Sequence, residues 1–254
     1  MLFHYLHIGH PKPPLKKPNP NIDRAAKHAL FKGFYNDIIG AASSPQISNS
    51  SNEVIINNHF TFIQIPKTSS TNVLKQCRKL NMTRRHWCYR HEGLPYLEHF
   101  INKTLPVYAI VRNPFDHALS YYFHQVARKE FYKDTDLIKG FRNFVSSNLN
   151  NIHLNQCAYI KSNKGIKVKL FRYENKDLNR YIMRQHGINL QLNKFKYNQG
   201  SKSNTASKLK SNCGISIQQF YNKRIASMIV KARHNEFDTF KYSTSVLDTI
   251  QSPK

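Results

Sequence analysis

The sequence predicts an α/β fold with a central, mainly parallel sheet flanked by helices. Two observations carry that expectation. Three short apolar runs rich in β-branched and aromatic residues, "HFTFIQI" (59–65), "PVYAIVR" (106–112) and "VKLFRYE" (168–174), read as buried strands. Each is followed by a segment of helical periodicity, and strand–helix alternation implies crossovers that lay strands in parallel with helices on both faces. Hydrophobic residues at 40% and aromatics at 12% of 254 residues supply enough apolar surface for a core.

In chain order, residues 1–53 read as a basic, Pro-rich arm, a helix and a linker, and 54–254 as the folded domain. "HPKPPLKKPNPNI" (10–22) is extended by composition, 23–40 fits one helix, and "ASSPQISNSSNE" (42–53) is a linker. The strand at 59–65 leads into a helix over 71–80. The strand at 106–112 leads into a helix that opens with Asn113 as N-cap and Pro114 at the first helical position. Helices are expected over 137–149, 174–186 and 215–233. The segment "KYNQGSKSNTASKLKSN" (196–212) reads as a polar, basic loop.

The charge balance is 39 Lys+Arg against 14 Asp+Glu, a formal net charge of +25. Such a field attracts anions, whether nucleic acid, an anionic membrane, or sulfated and phosphorylated molecules. No apolar stretch approaches the roughly 20 residues that a spanning helix needs. The N-terminus has no signal-peptide pattern. A cytoplasmic protein without a transmembrane anchor is therefore expected. Cys77, Cys88, Cys157 and Cys213 are scattered with no C-x-x-C pair, so reduced thiols and no metal site are expected. The sequons at Asn49, Asn81 and Asn102 read as chance matches in an Asn-rich chain.

Ligands of such sheets bind beyond the carboxyl ends of strands, where helices begin. "IPKTSST" stands there and places Lys67, Thr68, Ser69, Ser70 and Thr71 on one strand–helix turn. Hydroxyls, a lysine and a helix N-terminus together suit a phosphate. The turn lacks both glycines of G-x-x-x-x-G-K-[ST], and no Walker B acid is evident, which argues against a P-loop nucleotide kinase-like enzyme. "VRNPFD" stands at a second strand end. Arg112 closes a buried strand, and Ser120 follows two helical turns into the next helix. A forked guanidinium and a hydroxyl so placed could share one phosphate.

"FIQIPKTSSTNVL" followed by "YAIVRNPFDHALSYYFH" resembles the sulfotransferases that use 3′-phosphoadenosine-5′-phosphosulfate (PAPS), and among them the carbohydrate (heparan/chondroitin-type) enzymes, whose first motif typically reads I-P-K-T-G-G-T. "NQCAYI" (155–160), "LFRYEN" (170–175) and "ARHNEFDTFKY" (232–242) have counterparts in order, so the likeness runs from Phe60 to Tyr242. It implies a P-loop-like three-layer fold. It also implies that Lys67, Thr68, Ser69, Ser70 and Thr71 hold the 5′-phosphosulfate and that Arg112 and Ser120 hold the 3′-phosphate. Asn198, Ser201 and Lys202 would come from a loop closing over the nucleotide. Ser69 and Ser70 depart from the family's two glycines, which permit positive φ and close backbone approach.

The implied reaction is sulfuryl transfer to a hydroxyl, with a carbohydrate acceptor and no metal. Its transition state is loose, so positioning and electrostatics dominate. Lys67 would neutralise the leaving oxygen. The family's base lies between the two motifs, and the match falls on His91 in "YRHEGLPYLEHF", with His86 second and His99 also in the interval. Glu92 would orient His91 or be solvated, and Glu174 reads as ordering a helix start. The rival from another class is a non-catalytic basic polyanion-binding protein, for nucleic acid or a heparin-like chain. It predicts salt-sensitive binding without nucleotide dependence, and no nucleic-acid motif supports it.

Overall fold

The computed structural model describes residues 53–85, 91–128, 136–149, 154–192, 210 and 213–247. The expected arm, the helix at 23–40 and most of the linker lie outside the described residues.

The sheet begins with β1 (Glu53–Ile56), β2 (Thr61–Ile63), β4 (Val107–Val111) and β5 (Val168–Arg172), and the two-residue β3 (Arg84–Arg85) extends one side, in the order β3-β1-β2-β4-β5. β2, β4 and β5 are parallel, with Ile63 opposite Ala109 and Val111 opposite Arg172. β1 is antiparallel to both β2 and β3. The sheet is therefore mixed. The departure from parallel order has a local cause at Asn57. Its side chain accepts from the backbone N–H of His59 and Phe60, and its own N–H donates to the Phe60 carbonyl. An asparagine that bonds its own following backbone makes a tight reversal, so β1 folds back as a hairpin and needs no crossover helix.

Alternate residues of the strands enter two separate cores. Val54, Ile56, Ile63, Val107, Ala109 and Val111 pack with α2 (Leu94–Leu97) and α5 (Gln156–Ile160). Ile55, Phe62, Tyr108, Ile110 and Phe171 pack with α1 (Ser70–Lys79) and α6 (Leu178–His186). Helices thus cover both faces, which is why the strand sequences are apolar without alternation. A third cluster, rich in aromatics, gathers α3 (Pro114–Ala127), α4 (Leu137–Asn148), α7 (Ile217–Phe220), α8 (Lys223–Ala232) and α9 (His234–Phe240) around Phe115, Phe141, Phe144 and Phe220.

Asn113 caps α3 as expected, accepting from the Phe115 N–H at 2.9 Å, a contact worth about 1 kcal/mol. The single helix expected over 215–233 is two, because Asn222 caps a fresh start by accepting from the Ile225 N–H. The helix expected from residue 174 begins at Leu178, after a 3-10 turn over Tyr173–Asn175. Phe237 and Phe240 are buried, so the last helix packs on the core.

Candidate functional site

β2 runs into α1 through the turn that contains Lys67 to Ser69. Each carbonyl of residues 64 to 67 accepts a hydrogen bond from a side chain. His91 Nδ1 donates to the Gln64 oxygen (2.6 Å), and Thr68 Oγ1 to that of Ile65 (2.9 Å). His117 Nε2 donates to the Pro66 oxygen (2.8 Å), and Arg112 Nη1 to that of Lys67 (3.0 Å). A planar trans peptide turns its N–H opposite to its C=O. The N–H groups of Lys67 and Thr68 therefore face away from His117 and Arg112. Lys67 and Ser69, on either side of Thr68, take φ of 62° and 68°. Left-handed residues in such a turn aim successive N–H groups into a concavity suited to anions. Each such L-residue costs roughly 1–2 kcal/mol, which the four tethers offset. The Ser69 hydroxyl does not cap α1, so it is not spent on the helix that it opens. Ser70 and Thr68 are buried, while Lys67, Ser69 and Thr71 are partly exposed.

Arg112, just past the end of β4, is the second pole. It is 9% exposed. Its Nε donates to Asp116 at 2.5 Å, and its guanidinium lies 4.4 Å from the centre of the Tyr173 ring. The stacked, paired geometry is one that lysine cannot reproduce. Nη2 has no acceptor among the described residues. Asp116 also receives Lys210 Nζ. Burial pushes the Asp116 carboxyl up, but Arg112 and then Lys210 outweigh it and hold it at about 2. Asp116 is therefore ionised and cancels part of the positive charge. Ser120 is half-buried on α3 and sits four residues after Asp116, on the same helix face. Beside Arg112, burial drives the His117 imidazole down to about 3, despite its bond to Pro66. His117 is neutral, a donor to the turn and not a charge.

The main chain here is held from two directions. Glu174 accepts from the Asn113 N–H (2.9 Å) and from the Tyr242 hydroxyl (2.7 Å). It ties a strand end to the C-terminal segment, where the sequence suggested only the ordering of a helix start. Gln156 donates to the Arg112 carbonyl and accepts from the Arg112 N–H, both at 2.8 Å.

His91 is half-buried beside the turn. A carbonyl can only accept, so Nδ1 carries a proton, and in its neutral form the ring has its lone pair on Nε2. Gly93 brings this segment against α5. A Cβ there would lie 3.2 Å from the Tyr159 Cα and 3.3 Å from the Ala158 oxygen. Glu92 is buried, which removes the solvated reading of it. His99 is set apart, with its Nδ1 3.0 Å from Lys164 Nζ. His86, Cys88, Asn198, Ser201 and Lys202 lie outside the described residues.

The structure thus brings Lys67 to Thr71, Arg112 and His91 around one turn. Sequence reasoning missed Asp116, His117, Tyr173 and Gln156. Asp116 had a legible signal, its i,i+4 spacing from Arg112, while Tyr173 and Gln156 lie in segments that carry the resemblance without a role read for them. Among the described residues there is no group of three or more His, Cys, Asp or Glu placed to hold a metal ion, and no helix long and apolar enough to cross a membrane. The chain matches no family model, no curated protein and no solved structure.

Proposed function

We propose that the chain is a sulfotransferase, on a three-layer fold of P-loop-like type, that moves a sulfuryl group from PAPS to a hydroxyl, with a carbohydrate as acceptor. The observation that carries this reading is the bond from Arg112 to the Lys67 carbonyl, which joins two motifs 45 residues apart into one donor-rich wall. The residues fit a nucleotide with phosphates at two ends. The turn offers Lys67, hydroxyls and outward N–H groups for the 5′ end, and Arg112 with Ser120 offers a fork and a hydroxyl for the 3′-phosphate. Asp116, the carboxylate that Arg112 contacts, is neutralised by Arg112 and Lys210.

When bound, the nucleotide supplies a sulfuryl group on a phosphate leaving group, so the acceptor oxygen bonds to sulfur as the bond from sulfur to the phosphate oxygen breaks. The chain's own task is orientation and charge. Lys67 neutralises the oxygen that leaves. The tethered turn keeps its N–H groups aimed without reorganisation, the arrangement that makes fixed dipoles effective. His91 takes the acceptor's proton on Nε2. Its Nδ1–H stays on the Gln64 oxygen, so the ring holds one tautomer throughout.

Thermal denaturation tests the reading directly. Adenosine-3′,5′-bisphosphate at a hundredfold excess over its Kd stabilises the fold by about 3 kcal/mol, ATP does far less, and labelled PAPS passes its sulfuryl group to a hydroxylated acceptor. Equal shifts from both nucleotides would overturn it. Salt-sensitive polyanion binding with no nucleotide effect would favour the non-catalytic alternative.

A further inference from the structure

We infer that Gln156 and Glu236 are positioning residues for the 3′-phosphate, acting through the main chain of Arg112, an inference that rests on the functional reading above. The sheet ladder stops short of Arg112. The last registered pair between β4 and β5 is Val111 with Arg172, and the last between β2 and β4 is Ile63 with Ala109. An N–H and a carbonyl left without a strand neighbour in a buried place need partners. The Gln156 side chain supplies both, as a neighbouring peptide would, with Oε1 on the Arg112 N–H and Nε2 on the Arg112 oxygen.

Glu236 fixes the clamp in turn. Its Oε1 accepts from the Gln156 backbone N–H at 2.8 Å, and its Oε2 from Gln156 Nε2 at 2.9 Å. Both protons of the Gln156 amide are thereby used, one on Arg112 and one on Glu236, which leaves one orientation of the amide. Gln156 is 0% exposed and Glu236 1%. Water therefore cannot substitute for a lost partner, and each broken bond is felt in full. A buried carboxylate on α9 is costly to keep. Its two bonds both end on the one residue that holds Arg112.

The consequence reaches both ends of the site. The Arg112 side chain is directed by Asp116, Tyr173 and the Lys67 carbonyl. Those contacts set where the guanidinium points, and Gln156 sets where it starts. Loosening the clamp moves the fork relative to the turn, so it reduces recognition of the 3′-phosphate more than recognition of the 5′ end. A residue needed only for folding would not change that balance among folded molecules.

The test compares adenosine-3′,5′-bisphosphate with adenosine-5′-monophosphate by calorimetry in the full chain, in Gln156→Met and in Glu236→Gln. Glu236→Gln keeps the shape but places a donor against one of two donors. The wild type prefers the bisphosphate, and in the variants that preference falls by about tenfold, the equivalent of one hydrogen bond. Hydrogen exchange at the Arg112 amide quickens in Glu236→Gln. Near-UV circular dichroism certifies the fold, and Glu236→Gln alone decides if Gln156→Met does not fold. An unchanged preference, or unchanged Arg112 exchange, in a folded variant overturns the positioning role while leaving the functional reading intact. A wild type that does not distinguish the two nucleotides overturns both.

Discussion

Arg112 Nη1 lies 3.0 Å from the main-chain oxygen of Lys67. The residue that ends one strand therefore braces the turn after another, and a change at either is felt at both. His117 adds a second brace one residue earlier, at Pro66. The two braces come from the end of β4 and the first turn of the helix that follows it, so the strand–helix junction of "VRNPFDH" acts as the support for the junction of "IPKTSST".

Arg112→Ala is expected to weaken adenosine-3′,5′-bisphosphate by roughly 1.5–3 kcal/mol, the worth of a charge-assisted contact. Arg112→Lys recovers only part, because an ammonium cannot keep Asp116, the Tyr173 face and the Lys67 carbonyl at once. Calorimetry on both variants decides. Wild-type affinity in Arg112→Ala would place the 3′-phosphate elsewhere.

Ser69→Gly tests the strain in the turn. Ser69 has φ 68° and makes no capping bond with its side chain. Glycine relieves roughly 1–2 kcal/mol of left-handed strain and gives back about 0.5–1 kcal/mol in chain entropy. Urea denaturation is therefore expected to show no loss and a gain of up to about 1.5 kcal/mol. Ser69→Val, with its branched Cβ, is expected to lose stability. Destabilisation by glycine would show that the serine hydroxyl matters more to the fold than the backbone does.

Much of this site was legible in the sequence because it is local. The hydroxyl-rich turn, Arg112 at a strand end and the Asn113–Pro114 helix start are written in adjacent residues with known preferences. The antiparallel β1 was not foreseen, since four apolar-leaning residues beside a Ser/Asn-rich linker carry no periodicity, and the Asn57 reversal decides their direction. The pairing of Gln156 with Glu236 was also invisible. They lie 80 residues apart and meet only because α5 and the C-terminal helix pack together. His117 reads as one more residue of an amphipathic helix until Pro66 is placed against it.

Two carboxylates, Asp116 partly buried and Glu236 fully buried, predict opposite responses to acid. Asp116 is held down at about 2, below its ordinary 3.8. Its contribution is present above pH 3.8 and lost as pH falls through about 2, up to roughly 2 kcal/mol. Glu236 is raised by burial, only partly offset by Arg233 and Gln156, from 4.5 to about 7. Its proton favours the native state below pH 4.5, and that contribution is lost as pH rises through about 7, roughly 3 kcal/mol. Urea midpoints measured from pH 3 to 8 are expected to fall on the alkaline side in the wild type and to flatten there in Glu236→Gln. A wild-type curve that rises steadily from pH 5 to 8 would contradict the assignment to Glu236.

The histidine beside the turn has two separable duties. Through Nδ1–H it braces the Gln64 carbonyl, and in the proposed reaction Nε2 takes the acceptor's proton. His91→Ala removes both. It is expected to lower turnover by about 10²–10⁴-fold, the usual range for loss of a general base. His91→Gln separates them, since a carboxamide can still donate to the Gln64 oxygen but is far too weak a base to accept the proton. If proton transfer is the main duty, His91→Gln is as slow as His91→Ala while its melting temperature and bisphosphate affinity match the wild type. If bracing is the main duty, His91→Gln recovers most of the turnover. Single-turnover rates with PAPS and a saturating acceptor distinguish the two, because they isolate the chemical step from product release. Wild-type turnover in both variants would move the base outside this segment, or leave the acceptor's proton to water, which a loose transition state permits.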